Sequence, residues 1–157
     1  MLGRFQTLFK SLNDHEVKYL VVGGLAAAIH GVPRASFDMD ISIEATKQNA
    51  ERLLDALRDA GFESANMTTA EDLLRYQITI FRDYVRLDVL TSTTGMNFDE
   101  AWKRREVMTY QGVPFYMVAR DDFLRAKRTA GRNKDLEDVR ALETGSDIRD
   151  FERKHEY

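Results

Sequence analysis

Apolar residues recur along this chain with two different periods. At the start, Leu2, Phe5, Leu8, Phe9 and Leu12 fall three and four positions apart, which predicts an amphipathic helix ending near Asn13–Asp14. Val17–Val22 (VKYLVV) is a mostly apolar run that stops at Gly23-Gly24, the pattern of a buried strand. Leu25–His30 predicts a short helix closed by Gly31, with Pro33 preventing its continuation. From Ser36 to Ile43 the period becomes two. Phe37, Met39, Ile41 and Ile43 form an apolar face, and Asp38, Asp40 and Ser42 form a polar one. Glu44 follows beyond the alternation and reads as solvated.

Thr46 has the position of an N-cap before the stripe Ala50, Leu53, Leu54 and Leu57, with Gly61 ending that helix. A short helix is expected at Ala70–Leu74. Arg75–Phe81 and Tyr84–Leu90 flank Arg82-Asp83 and predict a hairpin. In its second strand Val85, Leu87 and Val89 share one face, and Arg86 and Asp88 the other. A helix over Phe98–Arg105 precedes a second hairpin, Val107–Tyr110 and Val113–Val118, around Gln111-Gly112. Helices are then expected over Arg120–Ala130, Lys134–Leu142 and Ile148–Lys154, punctuated by Gly131 and Gly145. This order predicts an α/β (α+β) fold: a small mixed sheet flanked by helices, with a helical C-terminal segment. No repeat or linker divides the chain. One domain over 1–157 is expected, with a sheet-containing core to about 118 and C-terminal helices from about 119.

Composition narrows the field. The 157 residues suit one domain with a real core, and 43% hydrophobic content predicts folding rather than disorder. The absence of cysteine excludes disulfides, thiolate metal sites and a cysteine nucleophile. The opening MLGRFQTLFKSLNDHE has no apolar run of a secretory signal, and no run reaches the roughly 18 residues of a membrane span. A cytoplasmic location without membrane contact is therefore expected. A net charge of −3 gives no globally basic nucleic-acid footprint and leaves local patches open.

The acids on the alternating strand change the picture most. Aspartate is depleted in strands, and like charges side by side repel. If the strands holding Asp40 and Asp88 share a sheet and bury the same apolar layer, then Asp38, Asp40 and Asp88 project together on the other side. Residues two apart on a strand lie roughly 7 Å from each other, and a neighbouring strand lies about 5 Å away. Three converging carboxylates suit a hard divalent cation, Mg2+ or Mn2+. Two such ions about 4 Å apart form the usual clamp for phosphoryl displacement. Gly23-Gly24, at a strand-to-helix junction, lets the backbone approach an anion. Arg34 supplies a charged fork for phosphate. Each feature alone has a plainer meaning: a tight turn, a solvated strand edge, an Asp88 paired with Arg86. It is their order along the chain that is specific.

In that order, VVGGLAAAIHG (21–31), RASFDMDI (34–41), VRLDVL (85–90) and KRTAGRNKDLEDVRAL (127–142) resemble the nucleotidyltransferases of the DNA polymerase β-like superfamily. Within it the chain is most similar to small bacterial proteins related to the AbiEii toxins of type IV toxin–antitoxin systems. The superfamily glycine motif is usually Gly-Ser; here Gly-Gly leaves backbone N–H groups to do the work. The resemblance implies that Gly23 and Gly24 hold a nucleoside triphosphate, and that Asp38, Asp40 and Asp88 ligate two metal ions. It implies that Asp88 also helps deprotonate an acceptor hydroxyl. Arg34 and Ser36 would support the phosphates or their loop. Lys127 would face the nucleotide, with Lys134 and Asp135 nearby, although KRTAGRNKDLED reads equally as a solvated helix. Arg128 and Arg132 would contact the acceptor or solvent.

The expected activity is transfer of a nucleoside monophosphate from an NTP to a hydroxyl, with release of pyrophosphate. The acceptor is tRNA or other RNA, a protein, or a small molecule such as an aminoglycoside. A cognate antitoxin is a partner implied by the resemblance. The alternative is a nucleotide- or partner-binding module without turnover. His30 reads as a helix-terminal cap rather than a catalytic base, and Trp102 with Phe98 as packing.

Overall fold

The computed structural model of the chain describes residues 3–32 and 38–144. Helix α1 (Gly3–Asp14) leads into β1 (Tyr19–Val22), α2 (Gly23–His30), β2 (Met39–Ile43) and α3 (Lys47–Asp59). A 3₁₀ turn (Glu63–Met67) and α4 (Ala70–Arg75) precede the hairpin β3 (Ile78–Arg82) and β4 (Arg86–Leu90). After α5 (Phe98–Lys103) comes the hairpin β5 (Glu106–Tyr110) and β6 (Val113–Met117), then α6 (Arg120–Ala130) and α7 (Asn133–Thr144). The expected helix over Ile148–Lys154 lies outside the described residues.

The strands form one six-stranded mixed sheet in the order β3-β4-β2-β1-β6-β5. β2 pairs antiparallel with β1 and parallel with β4, in the register Asp40↔Asp88. Alternation is what drives this pairing. Met39, Ile41, Ile43, Leu87 and Val89 are all fully buried on one face. Each such side chain contributes roughly 2 kcal/mol of burial. Helices α1 and α3 cover that face: Phe9 stacks on Phe115 at 4.5 Å and on Tyr19 at 6.4 Å between ring centroids. Ser11 Oγ ties the two helices by donating to the Ala56 carbonyl at 2.6 Å.

Local signals worked where they name a specific hydrogen bond or backbone angle. The Thr46 hydroxyl accepts from the Asn49 N–H at 3.2 Å, capping α3 as expected. Gln111 (φ 47°) and Gly112 (φ 81°) make the tight β5–β6 turn. Three expectations are corrected. β2 starts at Met39, so Asp38 stands just before the strand rather than within it. α2 starts at Gly23, so both glycines belong to the first turn of the helix rather than preceding it. Ser42 is buried, because α2 lies against β2 and covers that end of the polar face. The 3₁₀ turn was not expected. It is held by Asp83 of the β3–β4 turn, whose Oδ1 accepts the Glu63 N–H at 3.1 Å.

Candidate active site

The register of β2 and β4 sets Asp40 beside Asp88 on the face away from the core, and Asp38 joins them from the segment entering β2. Burial first, and then the charge of Asp88, push the Asp40 carboxyl up to about 6; the Gly24 N–H, which donates to it, pulls the other way. The glycine pair and the acids are therefore one structure. Gly23 has φ +64°, and a Cβ built there would lie 2.3 Å from Asp40 Oδ2, so this position needs glycine for both its backbone and its space. The Gly24 N–H, expected to serve phosphate, is engaged by Asp40.

A cation already stands among these acids. Arg86, two residues before Asp88 on the same strand, reaches Asp88 with Nε at 2.9 Å from Oδ1 and Nη2 at 3.2 Å from Oδ2. Its Nη1 is 3.8 Å from Asp38 Oδ2. The donor set of three carboxylates has the chemistry of a hard-cation site. Among the described residues, however, no group of three acids or histidines stands ready to hold an ion as arranged here. Asp88 and Asp38 are drawn to the guanidinium instead. One further side of the site is open: Ile80, opposite Asp88 in register, is 43% exposed.

A cavity of about 500 Å³ adjoins the acids, with Gly23 and Asp40 in its wall and Leu90, Phe123 and Lys127 among its other lining residues. Lys127 comes from α6. Its Nζ lies 3.2 Å from Asp135 Oδ1 and 3.4 Å from Asp138 Oδ2, both on α7. Asp135 is itself gripped by Arg132, with Nε at 2.7 Å from Oδ2, and this hydrogen bond foremost holds its carboxyl down to about 2. So Lys127 is presented to the cavity by a buried pair of acids. Lys134 is exposed on the first turn of α7 and is not in the cavity wall. Arg132 serves Asp135, and Arg128 pairs with Glu143. Arg34 and Ser36 lie outside the described residues.

Of the expected site residues, Gly23, Gly24, Asp38, Asp40 and Asp88 come together, and Lys127 reaches the adjoining cavity. Two features were not anticipated as parts of the site. One is Arg86 bridging Asp88 and Asp38, legible in part from its strand parity. The other is the loop Thr93–Met96, whose Thr93, Thr94 and Met96 line the cavity and which no local pattern announces. His30 is buried and its Nε2–H donates to the Val118 carbonyl at 3.1 Å, so it links α2 to the segment just after β6. Phe98 and Trp102 stack at 6.0 Å, as the packing reading expects.

The chain belongs to the family described as "Nucleotidyltransferase of unknown function (DUF6036)", which matches residues 3–152. A crystal structure of a proposed nucleotidyltransferase from Thermotoga maritima, at 1.87 Å resolution, is similar at a TM-score of 0.57 and 15% identity, covering 88% of this chain and 89% of that one. That likeness shows the nucleotidyltransferase fold. No curated protein matches the chain. Among the described residues no helix is long and apolar enough to cross a membrane.

Proposed function

We propose that the protein is a metal-dependent nucleotidyltransferase that moves a nucleoside monophosphate from an NTP to a hydroxyl acceptor and releases pyrophosphate. The observation that carries this reading is that Asp40 and Asp88 share one sheet face with Asp38 beside them, against a glycine that has no room for a side chain. Asp38, Asp40 and Asp88 would hold Mg2+ or Mn2+, which when bound neutralises phosphate charge and polarises the α-phosphate. The chain's own groups supply the rest. Asp88 is the candidate acceptor of the hydroxyl proton. Lys127 sets a positive charge in the cavity wall, where a triphosphate needs one, and Asp135 keeps it there. Arg34 and Ser36 are assigned to the phosphates by the motif alone. The spelling of the glycine motif favours the AbiEii-like branch, which makes RNA the first acceptor to try and an antitoxin a partner to seek.

One observation favours a second reading, a nucleotide-binding module without turnover: Asp88 is held by Arg86 through both of its oxygens. The discriminating experiment incubates the protein with each α-labelled NTP, Mg2+, and separated RNA, protein and small-molecule fractions. Transfer of label, lost in Asp40→Asn, supports the enzyme. Nucleotide binding with no transfer to any fraction supports the module.

A further inference from the structure

Arg86 holds Asp88 in a two-pronged grip, with one nitrogen at 2.9 Å from Oδ1 and another at 3.2 Å from Oδ2. A third nitrogen approaches Asp38 at 3.8 Å. Such a fork uses the lone pairs that a carboxylate would offer to a hard cation. Arg86 is also a local partner, two residues from Asp88 on the same strand face, so the fold places it at this site by construction. Among the described residues, no other cation forms an ion pair with Asp38, Asp40 or Asp88. Asp88 and Asp38 turn toward the guanidinium, and no described group of three is arranged to hold an ion.

We propose that Arg86 is a resident counter-cation that competes with the divalent ion: it holds Asp88 and Asp38 in the metal-free protein and must release Asp88 before these carboxylates close on a metal. The inference rests on the reading of Asp38, Asp40 and Asp88 as metal ligands. Arg86 acts through Asp88 and is a positioning residue. Its presence lowers the site's apparent metal affinity and keeps the acidic cluster folded when metal is scarce.

The test is Mn2+ titration by calorimetry, with no nucleotide present, on wild type, Arg86→Gln, Arg86→Lys and Asp88→Asn, each first checked for folding by thermal unfolding in a chelator. Loss of a charge-assisted fork predicts that Arg86→Gln binds Mn2+ roughly tenfold more tightly than wild type. Arg86→Lys, which keeps the charge without the fork, should fall between them and serves if Arg86→Gln does not fold. Asp88→Asn should bind more weakly than wild type. In the metal-free state Arg86→Gln should unfold at a lower temperature and gain more from added Mn2+ than wild type does. Equal or weaker Mn2+ binding in the Arg86 variants, with Asp88→Asn still impaired, overturns the competition and leaves the metal site standing. No Mn2+ binding in any variant overturns the metal site, and the competition with it.

Discussion

Two groups of aspartates in this molecule have opposite fortunes. On α6 and α7, Asp122 and Asp135 are buried and each is matched by arginine: Arg104 takes both oxygens of Asp122 at 2.8 and 3.0 Å, and Arg132 takes Asp135 at 2.7 Å with Lys127 behind it. The Asp135 carboxyl is accordingly held down to about 2. At the sheet face, Arg86 is the only described cation paired with Asp38 and Asp88, and the Asp40 carboxyl is pushed up to about 6. The same side chain is matched by opposite charge in one place, and buried beside like charge in the other. Under the proposed function, the crowded face is the one where a divalent cation would be held.

The contrast can be broken most forcefully at the crowded end. Asp38→Asn or Asp40→Asn should lower nucleotidyl transfer by about 10³-fold or more, with the circular dichroism spectrum and unfolding cooperativity unchanged. Gly23→Ala comes next. It forces a side chain into the left-handed region and against Asp40, so a loss on the order of 3 kcal/mol in urea unfolding is expected. Asp135→Asn breaks the matched end. It should cost about 2 kcal/mol at pH 7, because it leaves Lys127 without its closest carboxylate while Arg132 stays largely in solvent.

The smallest effect has the opposite sign. The folded-state pKa of Asp40 lies above its unfolded value of roughly 4, so its penalty is absent below that pH and complete above about 6. Asp40→Asn should therefore stabilise the metal-free protein by roughly 1–2 kcal/mol at pH 7.5, and the gain should vanish below about pH 4. Asp135 runs the other way. Its pKa is depressed, so its contribution is present above roughly pH 4 and fades as the pH falls toward about 2. Urea unfolding of both variants across pH reads the two trends in one series.

Most of the frame was legible because it rests on local rules. The alternation of Met39, Ile41 and Ile43 with that of Leu87 and Val89 gave the two strands, their buried face and hence the shared side of Asp40 and Asp88. Thr46 and Gln111-Gly112 announced a cap and a turn through chemistry confined to a few residues. What stayed hidden depends on partners far along the chain. Arg104 and Asp122 are 18 residues apart, and Lys127 meets Asp135 and Asp138 only because α6 folds back on α7 at Gly131. The closeness of Gly23 to Asp40 is likewise a product of β1–β2 pairing, since Val22 sits opposite Asp40. The grip of Arg86 on Asp88 was visible as a plainer alternative to a metal role; the structure places Arg86 within the acid cluster itself.

The most direct measurement is carbon-13 NMR titration of the aspartate carboxyls in one sample, with and without Mg2+. Asp40 should titrate at about 6 without metal and move down by more than a unit when Mg2+ is added, while Asp135 stays at about 2 in both. An Asp40 carboxyl titrating near the ordinary value of roughly 4 in the metal-free protein, or one indifferent to Mg2+, would contradict that expectation.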